Sequence, residues 1–181
     1  MHRLRVLDIL EYFHLQVESD SRRLEAVLSW LESLYRPSIP WSVWLEIQTA
    51  IGEGFDNAVR HAHRGLPQTT PVEIALGFTD DRIAFQIWDH GPGFDFETLM
   101  ANLPDHADLE AVSGRGFCIL RRVADRLEYA QQLDRRNRLY LEKHFTPMLA
   151  AESPTPNAQQ PQEHHNPLGG GGSPSFFHCP S

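Results

Sequence analysis

Ile51-Gly-Glu-Gly-Phe-Asp-Asn-Ala-Val-Arg-His-Ala-His63 sits inside a helical pattern that opens near Pro40, and its reading decides the fold. At 3.6 residues per turn, Ile47, Ile51, Phe55, Ala58 and Ala62 fall on one face, and Glu53, Asn57, Arg60 and His61 on roughly the opposite one. The first face is suited to packing and the second is a polar row. An acid and an amide one turn apart are common on solvated helices, so the row gains meaning only from two later Gly-containing stretches. These are Asp89-His-Gly-Pro-Gly-Phe94 and Ser113-Gly-Arg-Gly-Phe117, placed to close a pocket over that row.

Working outward, Phe13, Leu15 and Val17 alternate with polar residues, the period of a half-buried strand at a sheet edge. Ser19-Asp-Ser21 offers an N-cap, and Leu24, Val27, Leu28, Leu31 and Leu34 predict an amphipathic helix over about residues 21–35, stopped by Pro37. The second helix starts at Pro40 and is expected to end at Arg64-Gly65, where Gly is a natural C-terminal cap. Its internal Gly52 and Gly54 each cost on the order of 1 kcal/mol relative to Ala. Close approach of another backbone or a ligand is the preferred reason, with simple tolerance the alternative.

Val72, Ile74, Leu76 and Phe78 then alternate, turn at Thr79-Asp-Asp81 and are answered by Ile83, Phe85 and Ile87, which predicts a hairpin with one apolar face. Its second strand delivers Asp89 into a sharp, Gly-permitted turn. From Asp95 to Ser113 the pattern breaks up, and irregular chain of this length in a domain reads as a mobile lid. Gly114-Arg-Gly116 opens a short helix with Phe117, Leu120, Val123 and Ala124 inward; its unpaired amides and positive dipole end suit a phosphate. Two closing strands, Arg126 to Ala130 and Arg138 to Phe145, flank a polar turn.

Composition sets the outer limits. With 181 residues, 41% of them hydrophobic, the chain allows one well-buried domain, expected over residues 1–145, and a tail. Residues 146–181, rich in Pro, Gln and Gly, are expected to be disordered because they cannot bury enough surface to offset ordering entropy. A formal net charge of -8 argues against direct nucleic-acid binding, which needs a basic surface. The two cysteines, Cys118 and Cys179, imply neither a disulfide framework nor a metal knuckle. No apolar run reaches spanning length and no signal peptide is apparent, so the expectation is a cytoplasmic protein away from the membrane.

The order of these pieces (helix with Glu and Asn, hairpin, Asp-x-Gly-x-Gly, lid, Gly-x-Gly helix, two strands) resembles the GHKL ATPase superfamily. Within it, Gly114-Arg-Gly-Phe-Cys-Ile-Leu120 with Asp125 following looks like the anti-sigma factor serine/threonine kinases. The resemblance covers about residues 10–145. It implies an α+β two-layer sandwich, a mixed sheet with helices on one face, binding ATP and Mg²⁺.

Carried over by motif, Glu53 is the general base, Asn57 the Mg²⁺ ligand and Asp89 the acceptor for the adenine amino group. Gly91 and Gly93 let the backbone approach base and ribose. Gly114, Arg115, Gly116 and Phe117 close on the phosphates, with Arg60 and His61 adding to phosphate binding. One departure is visible: Arg136-Asn137-Arg138 stands where the family often has Gly-Thr-Thr near the adenine.

The resemblance further implies a kinase that binds a sigma factor and phosphorylates a STAS-type anti-anti-sigma protein. A homodimer is implied too, with the first strand and first helix as the suspected surfaces. The alternative is a regulatory module that uses nucleotide only to set its lid and partner affinity, without phosphotransfer.

Overall fold

The computed structural model describes residues 11–103 and 115–148. Period-two alternation becomes strands wherever it was read: β1 (Glu11–Glu18), β2 (Pro71–Phe78), β3 (Arg82–Asp89), β4 (Arg126–Gln131) and β5 (Asn137–His144). They form one five-stranded sheet in the order β1-β2-β3-β5-β4, with β1 at an edge as expected.

The expected α+β layering of a sheet with helices stands, and within it every pair of neighbours among the described residues is antiparallel where a mixed sheet was expected. A crossover from β3 would have seated β4 beside it in parallel. Instead β5 turns back from β4 and inserts between them, pairing Phe85 with Leu141 on one side and Leu127 with the same Leu141 on the other.

The sheet is apolar on one face because its strands keep register. Ile74, Leu76, Phe85, Ile87 and Leu141 are all at most 1% exposed. Against that face lie α1 (Leu24–Glu32), α2 (Trp41–Asn57) and α4 (Arg115–Val123). From α2 come Trp44, Ile47, Ile51 and Phe55, at most 1% exposed, and Trp44 stacks on Phe78 with ring centroids 6.4 Å apart. Of the stripe read in the sequence, Ile47, Ile51, Phe55 and Ala58 join the core, whereas Ala62 is half-buried.

Local chemistry explains the boundaries. Asp20 accepts a hydrogen bond from the Arg22 amide at 3.0 Å, and the predicted first helix begins as a 3₁₀ turn at Ser21–Arg23 before α1. The Arg22 guanidinium bonded to Asp20 also pulls that carboxyl down to about 2. The second helix departs from expectation: α2 ends at Asn57, and Ala58–Ala62 form a π turn before Gly65 takes φ 85°. The His63 amide reaches back five residues to the Ala58 carbonyl at 2.8 Å.

Part of the expected lid is also regular. Asp95 accepts from the Thr98 amide at 3.0 Å and caps α3 (Phe96–Asn102). The remainder of the lid, residues 104–113, lies outside the described residues together with Gly114, as do 1–10 and 149–181, the last of which holds most of the expected tail.

Candidate nucleotide site

A cavity of about 670 Å³ opens between α2, the end of β3, and the first turn of α4. Its volume lies in the range of small-molecule and cofactor sites. Of the residues expected to bind nucleotide, Glu53, Asn57, Arg60, His61, Asp89, Gly93, Arg115, Gly116 and Phe117 line it. Gly91 does not, and Gly114 lies outside the described residues.

Asp89 anchors one end. It is the last residue of β3 and only 6% exposed. Its Oδ1 accepts from the Gly91 amide at 2.8 Å and from the Asn137 side-chain Nδ2, also at 2.8 Å. Both bonds fall on one oxygen of a residue that lines the cavity.

The loop that follows is clamped to the π turn. A Cβ on Gly91 would sit 2.6 Å from the Ala62 carbonyl oxygen, so glycine here serves the loop's seating on the helix end. Next to it, the His90 amide donates to Nε2 of His63 at 2.8 Å. His63 is 3% exposed, and burial pushes its imidazole below the ordinary value. Because Nε2 accepts, the neutral ring carries its proton on Nδ1. A regular α-helical continuation would have carried His63 to a different azimuth.

The other end holds the polar row. Glu53 and Asn57 stand one turn apart on α2, and the start of α4 crosses directly over them. A Cβ on Gly116 would lie 2.8 Å from Glu53 Oε2 and 3.3 Å from Asn57 Nδ2, so only glycine permits this approach without a shift. Asn57 Nδ2 is buried with no hydrogen-bond partner among the described residues. A buried orphan amide beside a helix start, whose first amides have no intrahelical acceptor, fits a ligand rich in oxygen.

Arg60 pairs with Asp56 at 2.6 Å on an exposed surface. Such a pair is worth roughly 0–1 kcal/mol, so the guanidinium is readily redirected. His61 is exposed beside it. Among the described residues no three His, Cys, Asp or Glu side chains converge as a metal site. A divalent ion here would have to take most of its ligands from phosphate and water, which suits Mg²⁺.

Aromatic rings wall the cavity between its two ends. Phe94 packs on Tyr129 with centroids 4.3 Å apart and on Phe117 at 5.3 Å. Burial raises the Tyr129 phenol above its ordinary range, so it remains an O–H. The glycine pattern and the polar row pointed to the site, whereas His63 and Tyr129 carried no signal beyond strand or helix membership. Asn137 stood out in the sequence only as a departure.

A family profile described as the histidine kinase-like ATPase domain matches residues 17–143. Among curated proteins, a serine-protein kinase RsbW of Staphylococcus epidermidis is 28% identical over 42% of this chain and 51% of its own length. An RsbW of Bacillus licheniformis is 27% identical over 44% of this chain and 53% of its own. The chain thus spans about half the length of the curated relatives it matches. A crystal structure of the RsbU and RsbW domains of Rv1364c from Mycobacterium tuberculosis matches with a TM-score of 0.52 at 14% identity. That match covers 76% of this chain and 33% of the other, and it is a likeness of fold. Among the described residues no helix is long and apolar enough to cross a membrane.

Proposed function

The chain belongs to the histidine kinase-like ATPase domain family, and from that premise we propose that it is an ATP-dependent protein serine/threonine kinase of the anti-sigma type. On this reading it binds a sigma factor and phosphorylates a STAS-type anti-anti-sigma protein in a partner-switching circuit. The observation that carries it is the placement of Glu53 one turn from Asn57, both under the start of α4 at Gly116.

ATP would lie with its base toward Asp89 and its phosphates toward Asn57 and the α4 start. Asn57 would hold Mg²⁺ through its amide oxygen, and the ion would supply charge neutralisation. Glu53 accepts the proton of the acceptor hydroxyl as its oxygen bonds to the γ-phosphorus. The bond from that phosphorus to the β,γ-bridging oxygen breaks, and ADP leaves with the electron pair. Arg60, released from its weak pair with Asp56, joins His61 and Arg115 in holding phosphate oxygens. A homodimer would use the β1 edge, whose described residues pair only with β2.

The test is affinity capture from the native cell extract with the full chain as bait, with and without MgATP, followed by phosphosite mapping. A captured small protein phosphorylated on Ser or Thr only in the presence of MgATP is expected. Nucleotide-dependent capture with no phosphosite would instead favour a binding module that uses ATP to set partner affinity.

A further inference from the structure

Beside the nucleotide cavity, a second hollow of about 620 Å³ lies between α1 and α2. Leu24 and Leu28 of α1, with Leu45 and Gly52 of α2, give it an apolar lining. Gly52 adds no side chain there, and the nearest atom a Cβ on it would meet is Leu24 Cδ1 at 3.9 Å. Four residues, Glu53, Asp56, Arg60 and Arg115, line both hollows, so an occupant of one borders the other. Leu45 is 44% exposed, and Trp41, one turn earlier on the same face of α2, is 47% exposed. Large apolar side chains left open in a row, rather than singly, mark a surface that something covers.

The course of the chain after β5 supplies an occupant. Phe145 packs against the core, and the Met148 amide donates to the Ser38 carbonyl at 2.8 Å. Ser38 lies just before Trp41, so the last described residue stands at the Trp41 end of the open row. Residues 149–181 carry Glu152 and Glu163 but no Lys or Arg, and Phe176-Phe177 follows four consecutive glycines, Gly169 to Gly172. A coil of the length of residues 149–175 spans a root-mean-square distance of about 30 Å. At 1.5 Å per residue, Glu53 is about 18 Å along α2 from Trp41, within that reach. A segment tethered in this way is present at an effective concentration on the order of 1 mM, which favours it over a free partner of equal affinity.

We propose that Phe176 and Phe177 dock in the hollow between α1 and α2, so that this chain's own residues 173–179 lie against Leu28, Leu45 and Glu53. The driving force is apolar burial, since each ring can remove about 150–250 Å² from water. Such a contact is weak for a free peptide and sufficient for a tethered one. The docking stands whether or not the neighbouring cavity takes nucleotide. Where it does, the segment competes with any partner that reaches Glu53 through this hollow.

The test uses the full chain with Cys118→Ser, which leaves Cys179 as its one thiol, and a nitroxide attached there. Cys118→Ala replaces that background if Cys118→Ser loses the dispersion of the wild-type amide spectrum. Amide resonances of the isotope-labelled chain are compared before and after the nitroxide is reduced. Those of Leu28, Leu45, Gly52 and Glu53 should lose most of their intensity while the nitroxide is oxidised, and regain it in the Phe176→Ser/Phe177→Ser variant. Broadening spread evenly over the domain, or the same broadening in the double variant, would overturn the docking. The same loss with isotope and nitroxide on separate chains would assign the hollow to a second copy and overturn docking within one chain. None of these outcomes touches the nucleotide reading.

Discussion

His63 ties a proton to the shape of the loop that follows β3. Its Nε2 accepts from the His90 amide, its ring is buried, and the ring's pKa is depressed by burial despite the attraction of Asp89. In the unfolded chain the imidazole titrates near 6.5. Above that value both states are neutral, and the site contributes its full stability. As pH falls below it, the unfolded chain takes up a proton that the folded chain refuses, so stability is lost toward acid. Thermal unfolding should therefore show a steeper drop between pH 7 and 5.5 in wild type than in His63→Gln, whose amide oxygen can still accept from His90. Identical slopes would remove His63 from this role. Nothing local in Arg-His-Ala-His63 announced it, because its partner arrives from a loop 27 residues away.

At the scale of elements, α2 joins the sheet through two glycines that do different things. A Cβ on Gly54 would sit 2.6 Å from Ile87 Cδ1 and 3.2 Å from Leu139 Cδ2, both in side chains locked in the core. The same atom on Gly52 would meet nothing closer than Leu24 Cδ1 at 3.9 Å, an ordinary contact. Gly54→Ala should thus destabilise by about 1–3 kcal/mol through overpacking, whereas Gly52→Ala should stabilise by up to about 1 kcal/mol through helix propensity. Chemical denaturation of both variants checks the pair, and equal shifts of either sign would contradict the packing.

For Gly54 the close neighbours are sheet side chains, neither of the two candidates, backbone or ligand, named from the sequence. For Gly52 the tolerance reading holds. Strands and long helices were legible because each writes its own period. The π turn was not, since it is a change of backbone hydrogen bonding with no side-chain period of its own. Helix α3 was missed although Asp95 and Thr98 mark its start, because seven residues of mixed polarity give too short a stripe. The antiparallel order was hidden for a third reason: the insertion of β5 beside β3 is decided by pairing between residues about 50 positions apart.

At the scale of the molecule, the sheet and helices act as a rigid frame that brings four distant stretches to one cavity. The α2 row brings Glu53 and Asn57, the end of β3 brings Asp89 with Asn137 of β5 bonded to it, and the first turn of α4 brings Arg115 and Gly116. The motifs named three of these stretches. The fourth, Asn137, stood out only by breaking the family pattern, and its bond to Asp89 spans 48 residues. Net charge of -8 places no general anion attraction over this surface, so on the proposed reading phosphate would be held by the local amides, Arg60 and Arg115.

The most direct measurement is single-turnover transfer of the γ-phosphate from labelled ATP to the captured acceptor protein by wild type and Glu53→Gln, with ATP affinity measured in parallel. Transfer should fall by about 10²–10⁴ while ATP binding changes little, since a general base acts on the proton and not on the nucleotide. Transfer by Glu53→Gln at the wild-type rate would contradict it.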